Sequence, residues 1–343
     1  MANKGNLKGA RAEEAIRSVF RKEGYYVVRG IPYVFQGRDV TDIDLWLYGR
    51  TGAFRERINV DIKNKKTPQA IERFFWALGV MQVLRLDRCI VVTTERNPAV
   101  VEFGRRSNVA VIDGQYLQSP QVEPDTDRLS EEEFLKAIHP PGAAELGKNV
   151  RGQYLAAKAR LLTQMTYDGC NLHLLDIRMC LENLVTYPGV QASIGRVLYA
   201  ILSYIAITID YIVTKMEFAE PEQRRAAIEN GLRYGNVGRY RLEEFSRILE
   251  DCKNPYRDED NEVISRIVST LKSEAGAVRA DMVAEYLSQQ VENDSLFDLA
   301  LHFETHAFAS DFTRIADLPS DLKAFVLMLA DFYEIDRKVV IAC

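Results

Sequence analysis

The chain has 343 residues, of which 47% are hydrophobic and 27% are charged; this balance excludes a disordered protein and is comfortable for two globular domains. Its five cysteines are scattered without a C-x-x-C pair and its first residues lack the apolar core of a signal peptide, so we expect a cytoplasmic protein with neither a disulfide framework nor a zinc site. The net charge of −5 conceals a division, because residues 1–120 carry a net +7 (20 basic, 13 acidic) and the remainder a net −12 (24 basic, 36 acidic). This asymmetry predicts that the N-terminal part meets a polyanion and that the C-terminal part does not.

The first 115 residues alternate between helical and strand patterns in the order α-β-β-β-α-β-α-β. In chain order, the predicted elements are a helix at 8–23, strands at 25–31, 42–48 and 57–64, a helix at 67–86, a strand at 89–94, a helix at 98–106 and a strand at 109–112. This order predicts an α/β fold in which a mixed sheet has helices on both faces.

The sequence changes character after residue 117. Residues 118–129 are polar, contain two prolines and show no periodicity, which predicts a linker. Ser130-Glu-Glu-Glu133 then has the spacing of a helix capping box, and nearly every later segment has helical periodicity. We therefore expect an α/β domain over 1–117, a linker over 118–129 and an all-helical domain over 130–343.

One apolar run within the helical part, Val197–Val213, requires a choice between a membrane span and a core helix. The run is shorter than the ~20 residues that a bilayer span needs, and its Asp210 would be costly in lipid. We therefore predict a central helix of the C-terminal domain and no membrane segment.

The predicted strand at 57–64 separates apolar from polar residues. Ile58, Val60 and Ile62 fall on one face, because side chains alternate along a strand. Asp61 and Lys63 therefore lie together on the other face.

The predicted strand at 42–48 has the same pattern. Ile43, Leu45 and Leu47 are expected to share one face, and Asp42 and Asp44 the opposite one. We favour Asp44 as the functional acid because it lies deeper in the strand, with Asp42 as its nearest competitor.

Two carboxylates and a lysine brought together on paired strands suit metal-assisted hydrolysis of a phosphodiester. Hard oxygen ligands favour Mg²⁺, which binds few protein carboxylates and keeps several waters. Asp44 and Asp61 form the expected ligand pair, and Mn²⁺ is expected to substitute for Mg²⁺. Lys63 could orient or help deprotonate the attacking water, or neutralise a phosphate oxygen.

The D-x₁₆-D-x-K spacing of Asp44, Asp61 and Lys63, within this order of elements, resembles the PD-(D/E)xK, or restriction-endonuclease-like, nuclease superfamily. The chain looks most similar to the branch of archaeal Holliday-junction resolvases and Mrr-type restriction nucleases, over about residues 5–115. In that branch a Gly-x-x-x-Glu on the first helix commonly adds an acid, and Gly9-Ala-Arg-Ala-Glu13 matches it. The resemblance implies that Asp44 and Asp61 bind the metal, that Lys63 acts at the water, and that Glu13 contacts the metal through water or completes a second site. Glu14 is the alternative to Glu13.

Residues that follow the predicted DxK strand are candidates for contact with nucleic acid. Lys65, Lys66 and Arg73 stand at the start of the next helix, where they could bind backbone phosphates. The aromatic run Phe74-Phe75-Trp76 is interpreted as core packing in preference to a base-stacking surface.

The sequence therefore predicts a Mg²⁺-dependent DNA endonuclease with a helical domain that regulates it or binds a protein partner, and restriction or antiphage defence is a setting in which such an enzyme could act. A homodimer is compatible with this function, because cutting both strands generally takes two sites, but no feature of the sequence requires one. Two alternatives stay open: a non-catalytic module that binds DNA or a partner, and a toxin-like effector that cleaves RNA.

Overall fold

A five-stranded mixed sheet forms the N-terminal part of the protein. The computed structural model describes residues 4–52, 54–63, 69–139, 144–187, 189–216, 218–253, 258–293 and 295–343. The strands are β1 (Tyr26–Phe35), β2 (Arg38–Thr51), β3 (Phe54–Lys63), β4 (Arg88–Thr93) and β5 (Ala110–Ile112). They are arranged in the order β1-β2-β3-β4-β5, with antiparallel pairing from β1 to β3 and parallel pairing from β3 to β5.

Three helices belong to this sheet, as the alternating pattern predicts. They are α1 (Lys4–Lys22), α2 (Ala70–Leu84) and α3 (Pro98–Arg106). The bounds of α3 match the predicted ones because local signals set them: Asn97 caps the helix by accepting from the Ala99 N–H at 3.0 Å, and Pro98 occupies the first turn. The predicted start of α2 at Thr67-Pro68 lies outside the described residues.

Helices cover both faces of the sheet, which confirms the predicted layering. On one face, Ile16 and Phe20 of α1 pack against Leu47 of β2 and Val60 of β3. On the other face, α2 and α3 cover the β3–β5 half through a second cluster that includes Phe74. The remaining half of that face, over β1 and β2, is covered by the C-terminal helices.

The C-terminal part is helical throughout its described residues apart from short connections. Its helices are α4 (Glu131–Ala137), α5 (Ala144–Thr163), α6 (Tyr167–Thr186), α7 (Gln191–Thr214), α8 (Pro221–Tyr234), α9 (Gly238–Asp251), α10 (Asp258–Ala277), α11 (Ala280–Glu292), α12 (Leu296–Phe308), α13 (Ser320–Phe332) and α14 (Arg337–Ala342). The capping box at the start of α4 is confirmed: Ser130 accepts from the Glu133 N–H, and the Glu133 carboxylate accepts from the Ser130 N–H at 2.8 Å. The short helix α14 was not predicted.

Helix α7 is the central helix of this part. It is long and apolar enough to cross a membrane, but 89% of its most apolar window is buried inside the protein. This burial fits a core helix of a soluble protein, as predicted.

The sheet and the helices share one continuous hydrophobic core. Tyr26, Trp46 and Tyr48 on the β1–β2 half of the sheet belong to the same buried cluster as the apolar side chains of α7. Polar groups cross this core in pairs: the Tyr26 and Ser203 hydroxyls lie 2.7 Å apart. The Tyr48 hydroxyl donates to Asp210 at 2.6 Å. These two hydrogen bonds hold the β1–β2 half of the sheet against α7.

Asp210 also accepts two hydrogen bonds from Arg55 of β3, at 2.6 and 3.0 Å. Because this carboxylate is almost fully buried, its charge must be balanced by the groups around it. We expect Asp210→Ala to lower the free energy of unfolding by about 3 kcal/mol or more, since it breaks a buried ion pair and takes an acceptor from Tyr48. Chemical denaturation followed by circular dichroism measures the change.

The control for this prediction is Asp39→Ala, an acid-to-alanine change at an exposed position of β2. We expect that change to stay within about 0.5 kcal/mol of the wild type. Equal effects of the two substitutions would contradict a structural role for the Asp210 pair.

Candidate active site

The predicted acids meet where β2 separates from β3. The two strands pair from Leu45 to Thr51 on β2, and the pairing ends at Leu45–Val60. At the next position of β2 a side chain replaces the backbone as acceptor: Oδ2 of Asp44 accepts the Ile62 N–H of β3 at 2.7 Å. The structure thus places Asp44 against β3, half-buried, whereas Asp42 is exposed.

The end of this pairing also corrects the predicted faces of β2. Leu45 and Leu47 pack in the α1 cluster as expected, but Ile43 packs in the core shared with the helices, together with Trp46. The prediction of a common face was wrong at Ile43. The β2–β3 pairing has ended by this position, and Ile43 lies opposite Ile31 of β1, which belongs to the same cluster.

Asp61 lies on the face of β3 that is opposite to the α1 cluster and is 5% exposed. Both of its oxygens accept from the guanidinium of Arg73 on α2: Nε donates to Oδ2 at 2.7 Å and Nη2 donates to Oδ1. Lys63, two residues further along the strand, is half-buried at the end of the β3–β4 ladder, opposite Thr93.

Burial raises the pKa of Asp44 above its ordinary value, because water no longer solvates the carboxylate. The Ile62 N–H and the positive charges of Lys63, Arg73 and Arg29 oppose this rise in the pKa of Asp44. Asp44 contacts β3 directly, because it accepts the N–H of Ile62, the residue between Asp61 and Lys63. The structure therefore places Asp44 beside the segment that carries Asp61 and Lys63, and Arg73 joins this group through Asp61.

Glu13 and Glu14 on α1 share Arg29 as a partner and differ in their other contacts. Glu13 accepts from Nε of Arg29 at 2.7 Å, and its pKa is raised by burial and, to a smaller degree, by the charge of Asp44. Glu14 accepts from Nε of Arg17 at 2.7 Å and from the Glu131 N–H at 3.0 Å. Glu13 is therefore the acid of this pair that neighbours Asp44. The i,i+4 pair between Glu13 and Arg17, an alternative that the sequence allows, does not form because Arg17 pairs with Glu14.

Arg29 of β1 is a residue that the sequence reasoning missed. Its side chain is 7% exposed, and besides Glu13 and Glu14 it contacts Glu132 of α4 through two hydrogen bonds of 2.7 and 2.8 Å. The adjacent Glu131 pairs with Lys158 of α5. A chain of ion pairs thus runs from the helical part of the protein to Glu13. A lone arginine at the end of the apolar run Tyr26-Val-Val28 was the only signal in the sequence.

The residues predicted to contact nucleic acid divide into three groups. Lys65 and Lys66 lie outside the described residues. Arg73 is in the site, paired with Asp61. In the aromatic run, Phe74 is buried, as interpreted, but Phe75 and Trp76 are 66% and 46% exposed, so the core interpretation was wrong for these two.

The donor set of the site has the chemistry that a hard divalent cation needs. Asp44 and Asp61 supply carboxylate oxygens from neighbouring strands, and Mg²⁺ often takes only one or two protein carboxylates. Among the residues that the structure describes, no group of three or more His, Cys, Asp or Glu is close enough to hold a metal ion. The residues therefore fit a site with two carboxylate ligands, provided that Arg73 releases Asp61.

Comparison of the chain with protein-family models, with curated proteins and with solved structures finds no match. The resemblance to the PD-(D/E)xK superfamily therefore rests on the motif and on the order of the elements.

The electrostatics of the two acids predict opposite effects of removing their charges. Asp44→Asn should raise the free energy of unfolding at neutral pH, because it removes a carboxylate whose ionisation burial disfavours. Asp61→Asn should lower it by about 1–3 kcal/mol, because it breaks a buried ion pair with Arg73. Urea denaturation at neutral pH measures both.

The size of the Asp44 effect depends on pH. A raised pKa in the folded state means that the wild type loses stability as the pH rises through the titration of this carboxyl. The advantage of Asp44→Asn should therefore be present at pH 7 and vanish at about pH 3, one unit below the ordinary pKa of an aspartate, where the wild-type Asp44 is protonated both folded and unfolded. An advantage that is equal at both pH values would show that ionisation is not its cause.

Proposed function

We propose that the protein is a Mg²⁺-dependent nuclease that hydrolyses phosphodiester bonds of DNA, built on a restriction-endonuclease-like sheet. The observation that carries this proposal is the position of Asp44, whose side chain is held against β3 next to Asp61 and Lys63. Two carboxylates and a lysine on the inner strands β2 and β3, where the two strands separate, form the constellation that the D-x₁₆-D-x-K spacing predicts.

In this proposal Asp44 and Asp61 hold Mg²⁺, and Mn²⁺ can replace it. A bound ion would lower the pKa of an attacking water and would stabilise the negative charge that develops on the phosphate. Lys63 orients the water or neutralises a phosphate oxygen. Glu13, which Arg29 orients and which neighbours Asp44, contacts the ion through water.

Arg73 has two roles in this scheme. Its guanidinium balances the buried charge of Asp61 while no metal is bound. When Mg²⁺ takes over that carboxylate, the guanidinium becomes available for a phosphate of the substrate, a group that its planar donors suit. Metal binding would also stabilise the ionised form of Asp44. Burial disfavours that form, and a nearby divalent cation would favour it.

The charge division favours a polyanionic substrate for the N-terminal part, and DNA is the substrate that the superfamily resemblance implies. The helical part is proposed to regulate the site or bind a protein partner, since Glu132 and Arg29 connect it to Glu13. By analogy with nucleases fused to helical domains, the proposed setting is restriction or antiphage defence in the cytoplasm.

A cleavage assay tests the proposal. The full-length protein, with Mg²⁺ or Mn²⁺, is incubated with supercoiled DNA, linear DNA, branched DNA and RNA of matched sequence. Cutting of DNA should depend on the metal and fall by at least about a hundredfold in Asp61→Asn and Lys63→Ala. Preference for RNA would favour the toxin-like alternative. Salt-dependent binding without cleavage, unchanged in both variants, would favour the non-catalytic module.

If Arg73 exchanges Asp61 for a phosphate, removing Arg73 should increase the affinity for Mg²⁺ and decrease the affinity for DNA. Arg73→Ala should tighten Mg²⁺ binding roughly three- to tenfold in isothermal titration calorimetry, because it removes a competitor for Asp61 worth about 1 kcal/mol. The same variant should bind non-cleavable DNA more weakly in fluorescence anisotropy. Arg106→Ala, which removes an exposed arginine of α3, is the control and should leave the Mg²⁺ affinity unchanged. Unchanged or weaker Mg²⁺ binding in Arg73→Ala would refute the exchange.

A further inference from the structure

The guanidinium of Arg29 is shared by three carboxylates, two from α1 and one from the helical part. Its Nε donates to Oε2 of Glu13 at 2.7 Å. Its Nη1 donates to Glu14 at 3.0 Å and to Glu132 at 2.7 Å, and its Nη2 donates to Glu132 at 2.8 Å. Glu132 therefore binds the guanidinium with both of its oxygens, whereas Glu13 accepts a single N–H from it.

The two-point contact with Glu132 fixes the direction in which Nε of Arg29 points. A guanidinium is planar, and a carboxylate that accepts from both Nη atoms sets the orientation of that plane. In this orientation the Nε–H is bound by Oε2 of Glu13, and no described residue donates to the other oxygen, Oε1. The side chain of Glu13 is 22% exposed, so it is accessible to solvent. Glu13 thus keeps one oxygen for a contact other than Arg29.

The pKa directions of these acids agree with an unequal sharing of the Arg29 charge. The hydrogen bonds from Arg29 lower the pKa of Glu132. Burial raises the pKa of Glu13, and the charge of Arg29 and its single hydrogen bond do not cancel that rise. A cation near the free oxygen would therefore stabilise the ionised form of Glu13.

Helix α4 holds Glu132 in place through the core of the helical part. Phe134, two residues further along α4, is completely buried, and its ring stacks on that of Phe308 with the ring centres 4.2 Å apart. Glu131, one residue before Glu132, pairs with the buried Lys158 of α5. The position of Glu132 is thus set by packing among helices. A side chain on such a rigid element places its partner more precisely than one on a loop.

We propose that Glu132 and Arg29 are positioning residues for Glu13 in the candidate active site. Glu132 fixes the guanidinium so that Arg29 holds one oxygen of Glu13 and leaves the other for a water bound to Mg²⁺. This role rests on the proposed function, in which Mg²⁺ binds at Asp44 and Asp61. The helical part then completes the site, because it supplies the residue that keeps Glu13 free to face the metal.

Loss of the Glu132 charge changes what Arg29 does. Glutamine has only one oxygen acceptor, so the two-point pair cannot form, and the guanidinium is free to turn towards the carboxylates of α1. Glu13 then accepts from Arg29 with both oxygens, and less of its charge remains for a cation.

Isothermal titration calorimetry of the full-length protein with Mg²⁺ measures this effect without any turnover. Glu132→Gln should weaken Mg²⁺ binding roughly two- to fivefold, because Arg29 then competes for both oxygens of Glu13. In a Glu13→Gln background the same change should have no further effect, since Glu132 acts through Glu13.

Glu133→Gln is the matched control for this experiment. It removes the same charge from the next residue of α4, and glutamine can still form the capping box with Ser130. The Mg²⁺ affinity of this variant should equal that of the wild type. Circular dichroism checks that each variant is folded.

A metal-free crystal structure of Glu132→Gln gives a second readout that does not depend on the proposed function. It should show Arg29 donating to both oxygens of Glu13, in place of the single contact of 2.7 Å in the wild type.

Four results would overturn this role: an unchanged Mg²⁺ affinity in Glu132→Gln, the same loss of affinity in the Glu13→Gln background, an equal loss in Glu133→Gln, or a single contact between Arg29 and Glu13 retained in the crystal. A wild type that binds no Mg²⁺ would instead refute the proposed function, and the metal contact of Glu13 with it.

Discussion

The buried guanidinium of Arg29 is the constraint on which the rest of the arrangement depends. A charged group with 7% of its side chain exposed can be retained only if carboxylates replace its lost water, and here they come from α1 and α4. This requirement fixes the first helix, the first strand and the first helix of the C-terminal part relative to one another. It also orients Glu13 near Asp44. The geometry of the candidate site is therefore coupled to the packing of the helical part, through contacts that involve no residue of the DxK motif.

The two aspartates of the site differ in the groups that stabilise their ionised forms. Asp61 is deeply buried and fully paired with Arg73, so its ionised form is supported by the protein itself. Asp44 has only one backbone N–H and more distant cations, and burial raises its pKa. In the proposed function, a divalent cation would compensate the charge of Asp44 and would compete with Arg73 for Asp61.

Helix α2 combines three roles because of its position. Its inner residues close the core over the parallel half of the sheet, and its Arg73 reaches into the site. Its outer face exposes aromatic side chains around Gly79. The Arg73 guanidinium carbon also lies 5.7 Å from the centre of the Trp76 ring, so this face adjoins the candidate site.

The sequence by itself determined the order of the elements, because alternation, helical periodicity and capping are local properties of the chain. The bounds of α3 and the capping box at Ser130 follow from residues within one helical turn. The placement of Asp61 opposite the apolar face of β3 follows from the same kind of pattern.

Only the tertiary structure decided between neighbouring acids and between the faces of α2. Asp44 is distinguished from Asp42 by the point where β2 leaves β3, and Glu14 is distinguished from Glu13 by its additional contacts with Arg17 and with the Glu131 N–H. Phe75 and Trp76 are exposed because the sheet offers α2 only one face to cover. Each of these outcomes depends on which distant segments meet, and residues far apart in the chain make those contacts without leaving a local pattern.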